Sequence, residues 1–353
     1  MDSFLKNDGD RRAEVAKGAI AQSRQDGPSG QLTTICQVRR TITGVTCFSA
    51  APPMFLAPGF EERSIVTTLG AMAYGAPQPE VWPRPRSTQP LVFIHGFGGG
   101  SSSYEWSKVY PAFVGEGRVL APDLPGWGRS EQPARTYQVA DYIGAIAEFL
   151  AQTCDEPAIV VASSLSAAMA VQGAIAHPDH IKGLILVAPT GLADFGESSI
   201  NPWLSQVLRV PLLDNGLYRS AIATAPGIQA FLTTRQFANP DRCFPEIVAA
   251  YLAAAQQPNA HHAALAFVRG DLSFDLAALM PRLTVPTAFL WGGAAQLPPI
   301  EVGRRLAALN PQAVQRFEVV DGAGLTPQLE QPTQTIRLIF RCLRAITAAS
   351  SAG

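Results

Sequence analysis

The sequence VVASSLSAA, residues 160–168, changes abruptly from β-branched residues to small residues that suit a helix. Ser164 lies near the change, with Ala162 two positions before it and Ser166 two positions after it. Small residues at those two positions permit a sharp turn from a strand into a helix, in which the central serine is strained and its hydroxyl is exposed. Because glycine would be more diagnostic at both positions, the stretch predicts either a nucleophile elbow at Ser164 or an ordinary serine-rich turn.

Short apolar strands and amphipathic helices alternate on both sides of this stretch. The predicted strands are Ser64–Tyr74 (a strand or a hairpin), Leu91–His95, Arg118–Pro122, Ala158–Ala162, Gly183–Ala188, Thr287–Trp291 and Gln315–Val320. Most of them are apolar throughout, as expected for a parallel sheet that is covered on both faces. From Val139 to Leu150, and again behind Pro332, apolar residues recur at helical spacing. The predicted fold class is therefore α/β, a mostly parallel twisted sheet with helices on both faces.

The alternation stops between Thr190 and about Pro281, where an alanine-rich helical pattern is interrupted by prolines. We interpret this segment as a helical cap that is inserted into the α/β core. The predicted domains are a flexible N-terminal extension at 1–53, the core at 54–190 and 282–346, the cap insertion at 191–281 and a disordered tail at 347–353.

A glycine-rich loop, HGFGGG, follows the strand that begins at Leu91. Such a loop lets backbone N–H groups face a ligand oxyanion, and the N–H groups of Phe97 and Leu165 would supply the two donors of an oxyanion hole. A dinucleotide loop would need glycine where the chain has Ser101. The sequence also contains no GxxxxGK[ST] phosphate loop, so no nucleotide cofactor is predicted.

The composition limits the classes of partner. Charged residues make up only 16% of the chain, and 27 basic residues nearly balance 28 acidic ones, which argues against nucleic-acid binding by bulk electrostatics. No uncharged apolar run reaches the roughly 18 residues of a membrane-spanning helix, and the five cysteines form no CxxC pair. We therefore expect a cytoplasmic protein with no transmembrane segment, cofactor or metal. The oligomeric state stays open.

Several phrases together resemble the α/β-hydrolase fold family, over roughly residues 64 to 345. LVFIHGFGGG resembles the oxyanion loop of that family, RVLAPDLPGWGRSEQP (Arg118–Pro133) resembles its D-x-x-G-x-G-x-S segment, and VVASSLSAAMA resembles its elbow. The combination is most similar to the branch of epoxide hydrolases, haloalkane dehalogenases and meta-cleavage-product hydrolases, in which a helical cap follows the sixth strand. The resemblance implies that Ser164 holds the position of the nucleophile.

The chain departs from the family at the other two positions of the catalytic triad. The acid of the family lies four residues after the Trp of a W-G-x-x-D phrase, and the fourth residue after Trp291 is Ala295. The base is the histidine of an H-x-x-x-x-E-x-P phrase, and the matching stretch, LTPQLEQP, begins with Leu325. The resemblance therefore implies a triad without its acid and histidine. Loss of the base typically lowers kcat about a million-fold.

Other side chains are poor substitutes for the missing base. The histidines are His95, His177, His180, His261 and His262. Relatives use the first of them structurally, and the next two lie at the far end of the elbow helix, about 20 Å from Ser164 at 1.5 Å per residue. The last two lie in the predicted cap, so one of them would have to point toward the serine. Asp194 follows the sixth strand, where some relatives place their acid, but it also suits a loop turn.

Two hypotheses of different classes remain. Ser164 and the glycine-rich loop favour an atypical serine hydrolase that acts weakly on ester or C–C bonds. Ala295 and Leu325 favour a catalytically inactive pseudoenzyme that binds a small apolar ligand or a protein partner. Either hypothesis implies a small apolar ligand or substrate, because the candidate residues of the pocket floor are Phe97, Leu165, Leu297 and Leu325.

Overall fold

An eight-stranded sheet forms the centre of the computed structural model, which describes residues 56–198 and 213–352. The strands are β1 (Phe60–Thr67), β2 (Gly70–Pro77), β3 (Pro90–Ile94), β4 (Arg118–Pro122), β5 (Ala158–Ser163), β6 (Ile181–Val187), β7 (Thr287–Gly292) and β8 (Val314–Val320). Their order is β1-β2-β4-β3-β5-β6-β7-β8. The pairs β1–β2 and β2–β4 are antiparallel, and every neighbouring pair from β4 across to β8 is parallel. The predicted α/β class with a mostly parallel sheet is confirmed.

Helices cover both faces of this sheet. The α-helices of the described residues, including those inserted between β6 and β7, are α1 (Val139–Thr153), α2 (Ser164–Ala176), α3 (Leu213–Leu217), α4 (Ala225–Phe231), α5 (Pro245–Ala255), α6 (Ala260–Arg269), α7 (Ile300–Ala308), α8 (Pro327–Glu330) and α9 (Pro332–Ala352). Local sequence determines where they begin: the backbone N–H of Gln138 donates to the Asp141 carboxylate at 2.7 Å, which caps α1. No helix within the two described ranges is long and apolar enough to cross a membrane.

Two hydrophobic clusters pack against opposite faces of the sheet. Alternate residues of a strand point to opposite faces, so Val92 and Ile94 of β3 join one cluster while Leu91 and Phe93 join the other. The first cluster includes the buried faces of α1 and α2, and the second includes that of α9. Burial on both faces explains why the inner strands are apolar throughout.

The last helix extends further than the sequence predicts. Residues 347–352 continue α9 to Ala352, where the serine- and alanine-rich composition predicts a disordered tail. The hydroxyls of Thr347 and Ser350 donate to helix carbonyls one turn earlier, and Ile346 is fully buried. These contacts hold the end of the helix, so the prediction was wrong for 347–352. The predicted extension at 1–53 lies outside the described residues.

The chain between β6 and β7 is mainly helical, although residues 199–212 lie outside the described part. We call residues 213–282, with α3 to α6, the helical insertion; it lies within the predicted cap segment apart from its last residue. It packs directly on the glycine-rich loop. A Cβ atom on Gly100 would lie only 2.2 Å from the carbonyl oxygen of Tyr251, in α5. The absence of a side chain at Gly100 therefore allows the insertion to approach the core closely.

The carboxylate of Asp123 organises the loop after β4. It is fully buried and accepts hydrogen bonds from the backbone N–H of Ser103 at 2.6 Å and from Nε of Arg129 at 2.7 Å. Burial alone would raise the pKa of Asp123, but the adjacent Arg129 cation and its hydrogen bonds outweigh burial and lower that pKa. The pair thus joins the loop after β4 to the turn that follows the glycine-rich loop.

We expect Asp123→Asn to lower the free energy of unfolding by about 3–5 kcal/mol at neutral pH, because Arg129 would lose a buried partner. The depressed pKa makes this contribution complete above the ordinary aspartate pKa, about 4, and it is lost as pH falls through the lower pKa of the folded state. Urea unfolding at several pH values measures both effects. Asp155→Asn is the control, since Asp155 is fully exposed and pairs with Arg118 at 3.6 Å. Equal effects of the two substitutions would contradict the prediction.

Candidate active site

Ser164 is the first residue of α2 and directly follows the last residue of β5. Its φ angle is +56°, a left-handed value that costs a residue with a side chain about 1–2 kcal/mol. Ala162 and Ser166, two positions away on either side, are fully buried, and Ser164 itself is 9% exposed. Of the two alternatives that the sequence leaves open, the backbone has the strained strand-to-helix turn.

The glycine-rich loop, which begins after β3, meets the turn between β5 and α2 at Gly96. The hydroxyl of Ser166 donates to the carbonyl oxygen of His95. A Cβ atom on Gly96 would lie 3.1 Å from the Oγ of Ser163 and 3.4 Å from the Cβ of Ser164. Because glycine has no Cβ, the elbow can lie against the glycine-rich loop.

The candidate oxyanion donors belong to these two turns. Phe97 follows Gly96, is buried, and lies with its ring centroid 5.0 Å from that of Trp127 and 6.2 Å from that of Phe267 in the helical insertion. Leu165 follows Ser164 and is fully buried. The backbone N–H groups of Phe97 and Leu165 therefore come from the two chain segments that meet at Gly96.

A buried carboxylate that sequence reasoning missed lies beside the same contact. Glu105 is 1% exposed; its Oε2 accepts a hydrogen bond from the N–H of Gly96 at 2.9 Å, and its Oε1 accepts one from the hydroxyl of Tyr251 at 3.1 Å. The signal in the sequence is slight: one acidic residue between two aromatic ones, Tyr104 and Trp106. Only the folded chain brings it to the elbow.

Ala295 and Leu325 line the same cavity, of about 200 Å³. The backbone N–H of Leu325 donates to the carbonyl oxygen of Gln236 at 2.7 Å, which fixes this wall against the helical insertion. The described residues that line the cavity include no carboxylate and no imidazole; Arg235 is the only ionisable side chain among them. The arrangement therefore supplies no acid–histidine pair there.

Glu330, the acidic residue of the LTPQLEQP stretch, ties the insertion to the core. Its buried carboxylate accepts hydrogen bonds from the N–H groups of Gly324 at 2.7 Å, Asn239 at 2.8 Å and Ala238 at 3.1 Å. A carboxylate with three backbone donors is well satisfied. Glu330 therefore holds the segment around Leu325 in place.

Residues 91–338 match the family model described as the alpha/beta hydrolase family, which spans the glycine-rich loop, the elbow and the insertion. The chain belongs to the alpha/beta hydrolase family. The family predicted from the sequence is thereby confirmed.

Relatives and solved structures resemble this alpha/beta hydrolase over different lengths. An uncharacterised protein of Mycobacterium tuberculosis is 25% identical over 259 residues, which are 71% of this chain and 74% of that protein. A 2-hydroxymuconate semialdehyde hydrolase of Pseudomonas sp. (strain CF600) is 33% identical over 106 residues, 30% of this chain and 38% of the hydrolase.

Two of the similar solved structures are a serine hydrolase involved in carbazole degradation and an epoxide hydrolase. The first has a TM-score of 0.63 at 18% identity, and the match covers 81% of this chain and 99% of that one. The second has a TM-score of 0.65 at 19% identity, again with 81% and 99% coverage. At this identity the likeness is one of fold.

His95 has a structural position in this alpha/beta hydrolase. Its Nε2 accepts a hydrogen bond from the N–H of Leu124 at 3.0 Å, so the ring is neutral and its Nδ1–H donates to the carbonyl of Gly96 at 2.7 Å. His177 and His180 stack near the far end of α2, with centroids 5.8 Å apart. These positions agree with the sequence-based expectation for all three.

One histidine of the insertion, His261, lies on another side of α6 from the core. The face of α6 that contacts the core carries Ala263 and Phe267, and His261 is about 200° around the helix from Ala263. His261 lines a separate cavity of about 280 Å³ with other residues of the insertion, and its ring is 4.1 Å from that of His262. The structure does not bring His261 to the elbow.

Asp194 forms a turn at the beginning of the segment that leaves the core. It accepts hydrogen bonds from the hydroxyl of Thr190 at 2.8 Å and from the N–H groups of Gly191 and Leu276, each at 3.0 Å. Burial raises its pKa, and these donors oppose the rise. Asp194 thus joins the two ends of the long connection between β6 and β7.

Within the described ranges, no group of His, Cys, Asp or Glu is arranged to hold a metal ion.

Because the backbone at Ser164 is strained, we expect glycine to be more stable than alanine at this position, although alanine is usually the more stable residue in a helix. We expect Ser164→Gly to be more stable than Ser164→Ala by about 1 kcal/mol, because only glycine adopts φ near +56° without steric cost. Urea unfolding of both variants measures the difference. The control is the same pair of substitutions at Ser166, which lies inside α2, where glycine is expected to be the less stable variant by up to about 1 kcal/mol. The same order at both positions would contradict the strained turn.

Proposed function

We propose that this member of the alpha/beta hydrolase family is an atypical serine hydrolase that cleaves ester or C–C bonds of small apolar substrates weakly. The observation that carries the proposal is the strained backbone of Ser164, at φ +56° against the glycine-rich loop. A protein stores strain of 1–3 kcal/mol at such a position only where surrounding contacts impose it, and strain of this kind clusters at active sites.

The proposed chemistry begins with attack of the Ser164 hydroxyl oxygen on a substrate carbonyl carbon. The carbonyl oxygen becomes an oxyanion, which the backbone N–H groups of Phe97 and Leu165 stabilise by hydrogen bonds. The hydroxyl proton is given up during the attack and is returned to the leaving group as the intermediate collapses to an acyl-serine. A water molecule then adds to the acyl carbon, and the acid product leaves as the Ser164 hydroxyl is restored. Removal of one such donor typically costs about 100- to 1000-fold in kcat, so these two groups carry much of the expected rate.

The missing acid and histidine limit that rate. Loss of the histidine typically costs about a million-fold, or about 8 kcal/mol, and leaves roughly a thousand-fold acceleration over water from the oxyanion hole and binding. The choice of an apolar substrate is our prediction from the sequence, in which Phe97, Leu165, Leu297 and Leu325 are the candidate residues of the pocket floor. The similarity to a 2-hydroxymuconate semialdehyde hydrolase over 106 residues is the reason for including C–C bonds.

A second candidate function is ligand binding without turnover. The cavity of about 200 Å³ at Ala295 and Leu325 favours it, because this volume lies where relatives are expected to place their acid and histidine. Under this proposal the chain binds a small apolar ligand or a protein partner, and Ser164 carries out no chemistry. The two candidates differ in whether Ser164 can be acylated or phosphonylated.

We expect a fluorophosphonate probe to label the purified protein slowly and to leave the Ser164→Ala variant unlabelled. In this reaction the Oγ–P bond forms, the P–F bond breaks, and fluoride leaves. The mass of the intact protein measures the adduct, and circular dichroism checks that both proteins are folded. A folded wild type that acquires no adduct overturns the hydrolase proposal and favours ligand binding.

Restoring the two family residues should raise the rate. We expect Ala295→Asp combined with Leu325→His to accelerate labelling at Ser164 at least about 100-fold over wild type, because general acid–base catalysis contributes roughly 100- to 10,000-fold. Each single substitution is the matched control, and Ala295→Asp alone should give little gain because it supplies no base. If the double variant folds and labels no faster than wild type, the proposed correspondence of these positions to the triad is wrong.

A further inference from the structure

Glu105 occupies a place at the elbow that none of the sequence motifs assigns. Its side chain is almost completely buried, which is costly for a carboxylate unless hydrogen bonds or charges compensate. It accepts hydrogen bonds from the Gly96 N–H and from the Tyr251 hydroxyl. Among the described residues, no Lys or Arg forms an ion pair with Glu105. In contrast, Asp123 pairs with Arg129, and Glu330 pairs with Arg242.

The distances limit how far this carboxylate is from the elbow serine. The point at which Gly96 would carry a Cβ lies 3.4 Å from Oε2 of Glu105 and also 3.4 Å from the Cβ of Ser164. The carboxylate oxygen and the Ser164 Cβ are therefore no more than twice that distance apart. One water molecule with two hydrogen bonds of about 2.8 Å, together with the Cβ–Oγ bond, covers such a gap.

The Ser163 hydroxyl lies close to the position that a Cβ on Gly96 would take. The Oγ of Ser163 lies 3.1 Å from it, is buried, and has no hydrogen-bond partner among the described residues. Buried polar groups in folded proteins nearly always have a partner, which is often an ordered water. Ser163 thus supplies a second polar atom for a water between Glu105 and Ser164.

We propose that Glu105 is the general base for Ser164, through one water that the Ser163 hydroxyl helps to hold. This inference rests on the proposed hydrolase function and adds the residue that replaces the missing histidine. As the Ser164 Oγ bonds to the carbonyl carbon, its proton passes to the water, and a proton of the water passes to Glu105. On collapse, Glu105 returns a proton by the same path to the leaving group.

Charge balance in a buried site supports this assignment. The charge on Glu105 is negative before attack and neutral afterwards, while the substrate oxygen changes from neutral to negative. The total charge at the elbow is therefore constant, and the oxyanion forms when the nearby carboxylate has just lost its charge. If Glu105 stayed ionised, its repulsion would oppose the oxyanion strongly in a site of low dielectric. Tyr251, whose pKa burial raises well above its ordinary value, stays protonated and keeps Glu105 in place.

The test measures the rate of fluorophosphonate labelling at Ser164 for wild type, Glu105→Gln and Glu318→Gln under the same conditions. Glutamine keeps the size of the side chain and removes the base, so we expect labelling at least about 100-fold slower. Glu318→Gln is the matched control, because Glu318 is also buried but lies in β8, paired with Arg316 and Arg341. It should label as wild type does.

Ser163→Ala provides a second, independent variant. It removes a hydroxyl without a partner, so it should fold at least as well as wild type, and we expect labelling about 10-fold slower. If Glu105→Gln is folded and labels at the wild-type rate, this inference is overturned while the hydrolase proposal stands. If Glu105→Gln does not fold, a wild-type rate in Ser163→Ala overturns the inference. A wild type without any adduct overturns both.

Discussion

The close contact between two backbone turns at Gly96 is the constraint on which the site depends. The chain leaves β3 and β5 at the same edge of the sheet, because these strands are parallel neighbours. Their turns can touch only if one of them lacks a side chain, and a Cβ on Gly96 would crowd Ser163 and Ser164. The hydroxyl of Ser166 then closes the contact through the carbonyl of His95. The strain of Ser164 and the position of the loop both follow from this packing.

Two buried glutamates connect the helical insertion to that contact. Glu105 joins the glycine-rich loop to Tyr251, and Glu330 joins the segment before α8 to Ala238 and Asn239. Both carboxylates are satisfied mostly by donors from outside their own element, so they hold pieces of chain that are distant in sequence. Their chemical situations differ, however. Glu330 has three backbone donors and a nearby Arg242, whereas Glu105, Ser163 and Ser164 all have atoms within 3.4 Å of the position that a Cβ on Gly96 would take.

The segments that carry Ala295 and Leu325 lie together in the structure. Leu325 is held by the carbonyl of Gln236, and Ala295 lines the same cavity, so the positions are still neighbours. A framework of this kind stabilises the fold through its backbone hydrogen bonds regardless of which side chains it carries. The proposals for Ser164 and Glu105 therefore concern how chemistry would proceed on this scaffold, and they make the proposed nucleophile depend on a carboxylate from a different element.

The sequence by itself determined the sheet, the elbow and the loop, because each is a local pattern: apolar runs of strand length, small residues around Ser164 and glycines after His95. It also determined that Ala295 and Leu325 carry no ionisable group. Only the tertiary structure decided that Glu105 lies beside Ser164, that His261 lies away from the core face of α6 and that α9 continues to Ala352. These outcomes depend on which surfaces pack together over long separations in the chain. Periodicity and spacing describe one element at a time, so they do not contain that information.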